Sequence, residues 1–215
     1  MLKLWYSPGS ASMVPHIVLE ELGVAYERLT VDREARQHKS PAYLALNPNG
    51  LIPVLLDGDL VVYETAAIVM HLADTHPQAG WLPPLGTPER ALAYQWLAWC
   101  TNALQATLLV YYYPERWVAD GNAAAAAEVQ ARAEARIGGL LDQLDTACAR
   151  RGGPWFLGER VSVLDAYVFT LCHWTAGWPG AAGTRPALRA LLERVMQRPA
   201  VQRVLATEGA QPPYF

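Results

Sequence analysis

Two hydrophobic periods share this chain, and the change between them falls after residue 77. Before it, short strand-like runs alternate with helical segments. The runs are Leu2–Tyr6, Tyr26–Val31, Val54–Leu56 and Leu60–Tyr63, and the helical segments cover Ala11–Leu22 and the stretch opened by Glu64-Thr65, where Ile68, Val69, Leu72 and Ala73 recur at helical spacing. Such alternation predicts an α/β layer arrangement, with Asp57-Gly58 as the turn of a hairpin. From residue 78 to 88 the chain is proline-rich and aperiodic, which reads as a linker between a domain at 1–77 and a second one at 89–215. The second domain is expected to be all helical. Its principal segments are Glu89 to about Tyr112, Ala123–Ala149, Ser162–Thr175 and Pro186–Gln197, with a short one after Pro199. In the second of these, Val129, Ala133, Ile137, Leu140, Leu141 and Leu144 lie on one face. Ser162 with Asp165 three residues later reads as a capping box, whose first role is to start a buried helix.

Three points of the first domain carry chemistry. Ile52 precedes Pro53 at the mouth of a strand, a candidate cis peptide that leaves the Ile52 main chain free to pair with an extended ligand. Glu64 and Thr65 stand at a helix start, where unpaired N–H groups and the positive dipole end hold a carboxylate while Glu64 faces an ammonium group, together an amino-acid head. The plain structural alternative is that they only cap the helix. Near the amino terminus, Ser7–Ser12 reads SPGSAS, a Pro-Gly turn into a helix with hydroxyl groups at its positive end, a place to stabilise a thiolate.

With these residues the chain resembles a cytosolic glutathione transferase, in particular the bacterial beta-like group. The matching segments are Tyr6–Glu27, Asn47–Leu55, Glu64–Asp74 and Val161–Leu171, so the likeness covers essentially the whole chain. It implies a thioredoxin-like amino-terminal domain that binds glutathione, followed by an all-α helical domain lining a second-substrate pocket. Beta-type members carry a cysteine where this chain has Ala11 in PGSAS, and their helix histidine and partner-chain asparagine fall on Gln105 and Ala98. A retained hydroxyl then takes over thiol activation: Ser10 first, then Ser12 and Tyr6. By the same resemblance Ile52 and Pro53 hold the cysteinyl backbone, Glu64 and Thr65 the γ-glutamyl head, and Lys39 or His38 the glycine carboxylate. Tyr112, Tyr113, Trp117 and Gln105 border the pocket for the second substrate. For the tyrosines, ordinary interdomain packing is an equal alternative, since aromatic residues fill cores as well as pockets.

Composition is consistent with this picture. With 52% hydrophobic and 17% charged residues in 215, the chain is long and apolar enough to bury a sizeable core. A net charge of −3 recommends neither nucleic acid nor an anionic membrane as a partner. Cys100, Cys148 and Cys172 are odd in number and widely spaced, which fits reduced thiols in the cytoplasm. No histidine spacing suggests a metal, MLKLWYSPGS lacks the apolar core of a signal peptide, and no run approaches a membrane span. The expected protein is a cytoplasmic homodimer that conjugates glutathione to small hydrophobic electrophiles, dimerisation being implied by the resemblance alone. A glutathione- or ligand-binding protein without turnover, and a glutathione-dependent isomerase or dehalogenase, are the alternatives.

Overall fold

Strand β1 (Leu2–Tyr6) is the hub of the first part of the chain, because its alternate side chains Leu2, Leu4 and Tyr6 are all buried. In the computed structural model, which describes residues 1–215, it is followed by α1 (Met13–Leu22), β2 (Tyr26–Thr30), α2 (Pro41–Leu44), β3 (Val54–Asp57), β4 (Leu60–Tyr63) and α3 (Thr65–Thr75). The later helices are α4 (Pro88–Trp99), α5 (Ala106–Tyr112), α6 (Ala123–Arg150), α7 (Val163–His173), α8 (Pro186–Met196) and α9 (Pro199–Thr207). Two compact units result: Met1–Pro83 with Arg194–Tyr214, and Pro84–Glu193 with Phe215.

In the first unit the sheet order is β2-β1-β3-β4, with β1 parallel to β2 and antiparallel to β3. The parallel pair needs a crossover, which α1 supplies. The expected hairpin forms, with Asp57 opposite Leu60 and Gly58 at φ +60. Helix α1 begins two residues later than its hydrophobic period suggests. Ser12 spends its hydroxyl on the main chain of Ser7 and makes no cap bond, so residues 7–12 stay a turn. The stretch before β3 is not featureless, since Ser40 caps α2 by accepting the Tyr43 N–H at 3.3 Å, with Pro41 in the first turn.

The unit boundaries also depart from the sequence division. Trp81 and Leu82, placed in the linker by their proline-rich surroundings, are buried at 5% and 8% exposure, and the Arg198 guanidinium sits 5.8 Å over the Trp81 ring. Helix α9 belongs with the first unit because it packs on α1. Arg198 pairs with Glu21, and Arg203 Nε donates to Glu20 at 2.8 Å.

The second unit is all helical. Helix α4, a π-helical turn over Cys100–Gln105, and α5 follow one another without a break. Helix α7 is the core of this unit, with Val163 through Cys172 all buried. The capping box is present: Asp165 accepts the Ser162 N–H at 2.7 Å, and also the Phe156 N–H at 2.8 Å. Cys100, Cys148 and Cys172 are free thiols, all buried. No helix is long and apolar enough to cross a membrane.

Candidate functional site

The serine turn is closed by its own hydroxyl groups. Ser12, 0% exposed, accepts the Ser7 N–H at 3.2 Å and donates to the Ser7 carbonyl at 3.1 Å, while Ser10 Oγ lies 2.8 Å from Ser12 Oγ. Ser10 is half-buried and accepts the Ser12 N–H at 3.3 Å. Of the two serines, only Ser10 is placed to meet a ligand directly. Ala11 is buried, and its main-chain N–H carries no hydrogen bond. Tyr6 is buried in the strand, its ring 5.7 Å from that of His16.

The loop before β3 is fixed by side chains on α2 and just beyond it. Tyr43 Oη and Asn47 Nδ2 both donate to the Leu51 carbonyl, at 2.9 and 2.8 Å. They hold the chain immediately ahead of Ile52–Pro53, which is cis. The Ile52 N–H and C=O carry no hydrogen bond within the chain, so this stretch offers one donor and one acceptor to an extended ligand. Lys39 Nζ donates to the carbonyls of Gly50 at 2.9 Å and Asn49 at 3.3 Å, which puts its ammonium at the same loop. Gly50 permits this approach: a Cβ there would stand 2.8 Å from both His38 O and Lys39 Nζ. His38 is half-buried beside it.

Glu64 does not act as a cap. Its side chain makes no cap hydrogen bond, it is exposed, and it has no ion-pair partner. Its backbone adopts φ 72, ψ 117, a strained conformation for a residue with a Cβ. Thr65, 5% exposed, opens α3 next to it. A strained, unpaired carboxylate at a helix start is better explained by a ligand than by local stability.

In the second unit, Tyr112, Tyr113 and Trp117 form one surface. Trp117 is 65% exposed and Tyr112 43%, and the Arg116 guanidinium lies 3.9 Å over the Tyr113 ring. Tyr112 Oη donates to the Trp174 carbonyl, and burial pushes its hydroxyl up to about 12. Gln105 does not stand with them. Its side-chain carbonyl accepts the hydroxyl of Tyr167, a residue 0% exposed, at 2.5 Å, so the π-helical turn directs it inward.

Sequence reasoning missed Glu208, which follows α9 and accepts the Gly9 N–H inside the serine turn at 2.9 Å. No local motif marks it, because its partner is 199 positions away. Tyr43 and Asn47 were also missed, although Ser40-Pro41 signals the short helix that carries Tyr43.

A four-stranded mixed sheet with α1 and α3 packed on it, a cis-proline entering its antiparallel strand, and a following helical unit together define a thioredoxin-like domain joined to an all-α one. The family models named glutathione S-transferase, N-terminal domain, and glutathione S-transferase, C-terminal domain, match residues 1–74 and 127–206. Glutathione S-transferase 3 of Zea mays is 33% identical, over 99% of this chain and 96% of its own. Among solved structures, a glutathione transferase homologue from Sulfitobacter with bound glutathione superposes with a TM-score of 0.87 at 26% identity, covering 96% of this chain and 98% of the other. The beta class enzyme of Sphingomonas chungbukensis gives 0.82 at 30% identity, covering 97% and 100%. The chain belongs to the glutathione S-transferase family.

Proposed function

We propose that this enzyme binds glutathione in the first unit and transfers its thiolate to carbon in small hydrophobic electrophiles, with Ser10 as the hydroxyl that stabilises the thiolate. The observation that carries this reading is the hydrogen-bond arrangement of the serine turn. When a thiolate takes the Ser10 hydrogen, the Ser12 hydrogen turns from the Ser7 carbonyl to Ser10 Oγ, 2.8 Å away. The Ser7 carbonyl keeps the Ser10 N–H as its donor at 3.2 Å, so no buried group is left unpaired. The switch gives up a neutral hydrogen bond of about 1 kcal/mol for one to an anion, worth roughly 1.5–3 kcal/mol. Ser12 is then a positioning residue, and the free Ala11 N–H is a second donor at the same helix start.

The remaining assignments follow the geometry of the loops. Ile52 offers its main chain to the cysteinyl residue beside Pro53, Glu64 and the Thr65 end of α3 take the γ-glutamyl head, and Lys39 with His38 takes the glycine carboxylate. Tyr112, Tyr113 and Trp117 receive the electrophile. Dimerisation through the first unit is supported by edge strand β4, whose Leu60, Val61 and Tyr63 are 49%, 39% and 36% exposed. The three free thiols suit a reducing cytoplasm.

The test is spectroscopic titration of the glutathione thiol in the complex, alongside turnover of an aromatic halide. A thiol pKa well below that of free glutathione, with conjugate formed, is expected. An unshifted thiol without turnover makes this a glutathione carrier, and isomerised or dehalogenated product in place of conjugate reassigns the reaction.

A further inference from the structure

The second unit has a groove that the glutathione reaction does not use. It holds about 630 Å³ between α4 and one face of α6, on which Gly139, Gln143, Thr146, Ala147 and Arg150 follow at helical spacing. This is within the size range of small-molecule sites. Trp96 and Phe156 form an aromatic wall, with ring centroids 5.0 Å apart and planes at 89°. That wall is held in place, because the Phe156 N–H is tied to buried Asp165 and the loop behind it closes tightly. A Cβ at Gly153 would stand 2.5 Å from the Gly158 carbonyl carbon.

The polar groups at the closed end have one sign. Arg150 is exposed and has no ion pair. Arg151 Nε donates to the Gly153 carbonyl at 2.9 Å, while its buried Nη1 meets no hydrogen-bond partner. The one carboxylate on the lining, Asp142, is already paired with Arg185 at 2.8 Å. The terminus of α6 adds about half a negative charge, against two full positive charges. An aromatic wall ending in two uncompensated guanidinium groups matches a flat ring system bearing an acidic group.

We propose that this groove is a separate binding site for planar aromatic anions, aryl sulfonates or carboxylates. It is remote from the aromatic surface of α5: Gln130 Nε2 donates to the Tyr111 carbonyl, and Arg150 lies roughly 30 Å farther along α6 at 1.5 Å per residue. The probe is 8-anilinonaphthalene-1-sulfonate, followed by calorimetry and fluorescence on the full chain. One equivalent per chain is expected to bind the wild type and Trp117→Ala alike. Arg150→Glu is expected to weaken it at least tenfold, and Gly139→Leu, whose new side chain starts in open space, to block it. Neutral N-phenyl-1-naphthylamine is expected to bind about tenfold more weakly. Conjugation and melting temperature should hold in Arg150→Glu. Unchanged dye affinity in Arg150→Glu, or loss of the dye in Trp117→Ala, overturns the site. Should Gly139→Leu fail to fold, the charge-reversed variant decides alone.

Discussion

The Glu208 carboxylate, following the last helix of the chain, accepts the main-chain N–H of Gly9 at 2.9 Å with one oxygen and meets His16 Nδ1 at 2.7 Å with the other. Both side chains are 1% exposed or less. Glu208 thus holds the turn that presents Ser10. Removing one member of a buried pair costs roughly 3–5 kcal/mol, so Glu208→Ala is expected to lose about that much in urea unfolding. Glu208→Gln keeps an acceptor for Gly9 and should lose about half. Wild-type stability in the alanine variant would refute this structural role.

Glu64 separates binding from folding. Glu64→Gly removes both the carboxylate and the cost of a Cβ at φ 72, so the variant should be more stable by about 1 kcal/mol. Its glutathione affinity should fall by roughly 1.5–3 kcal/mol, tenfold or more. Glu64→Ala should show the loss of affinity without the gain in stability. Calorimetric titration beside thermal unfolding reads both, and unaltered affinity in either variant excludes Glu64 from the site.

Ser10→Ala should raise the pKa of the bound glutathione thiol and slow conjugation at neutral pH, with less effect at alkaline pH, where the thiolate forms unaided. In Ser12→Ala the Ser7 N–H loses its acceptor within the buried turn, so stability should drop by roughly 1–3 kcal/mol while the thiol pKa moves less. If the larger pKa change follows Ser12, the roles are reversed.

Burial pushes the Asp165 carboxyl up to about 6, against the opposing pull of its bonds from Phe156 and Ser162. The folded chain therefore binds this proton more tightly than the unfolded one. The stabilisation from protonation is full below an ordinary aspartate pKa near 4 and disappears as pH rises through about 6, an effect of order 3 kcal/mol. The stability difference between wild type and Asp165→Asn should accordingly grow in favour of wild type as pH is lowered from 7 to 4. A difference that does not vary with pH would show that Asp165 titrates normally.

Elements governed by near neighbours were readable from the chain alone. The hairpin at Asp57-Gly58, the capping box of Ser162 and Asp165, and the helical period around Ile68 and Leu72 each rest on contacts within a few residues. Long-range placement was not. The bond from Glu208 to Gly9, the burial of Trp81 under Arg198, and the inward turn of Gln105 toward Tyr167 are fixed by packing between distant segments, which leaves no spacing to detect. Ser12 shows the same limit on a smaller scale: its position beside Ser10 was legible, but its enclosure was not.

The π-helical turn between α4 and α5 gives this enzyme a discrete means of changing what it accepts. Such a turn accommodates one more residue than a regular helix does over the same rise. Deleting a single residue between Cys100 and Gln105 would rephase everything downstream by about 100°. Tyr112 and Tyr113 would be swung to a different side of the rod while α4 stayed where it is. Variation in substrate preference among relatives can therefore arise by insertion and deletion at this turn, with no exchange of the aromatic residues themselves.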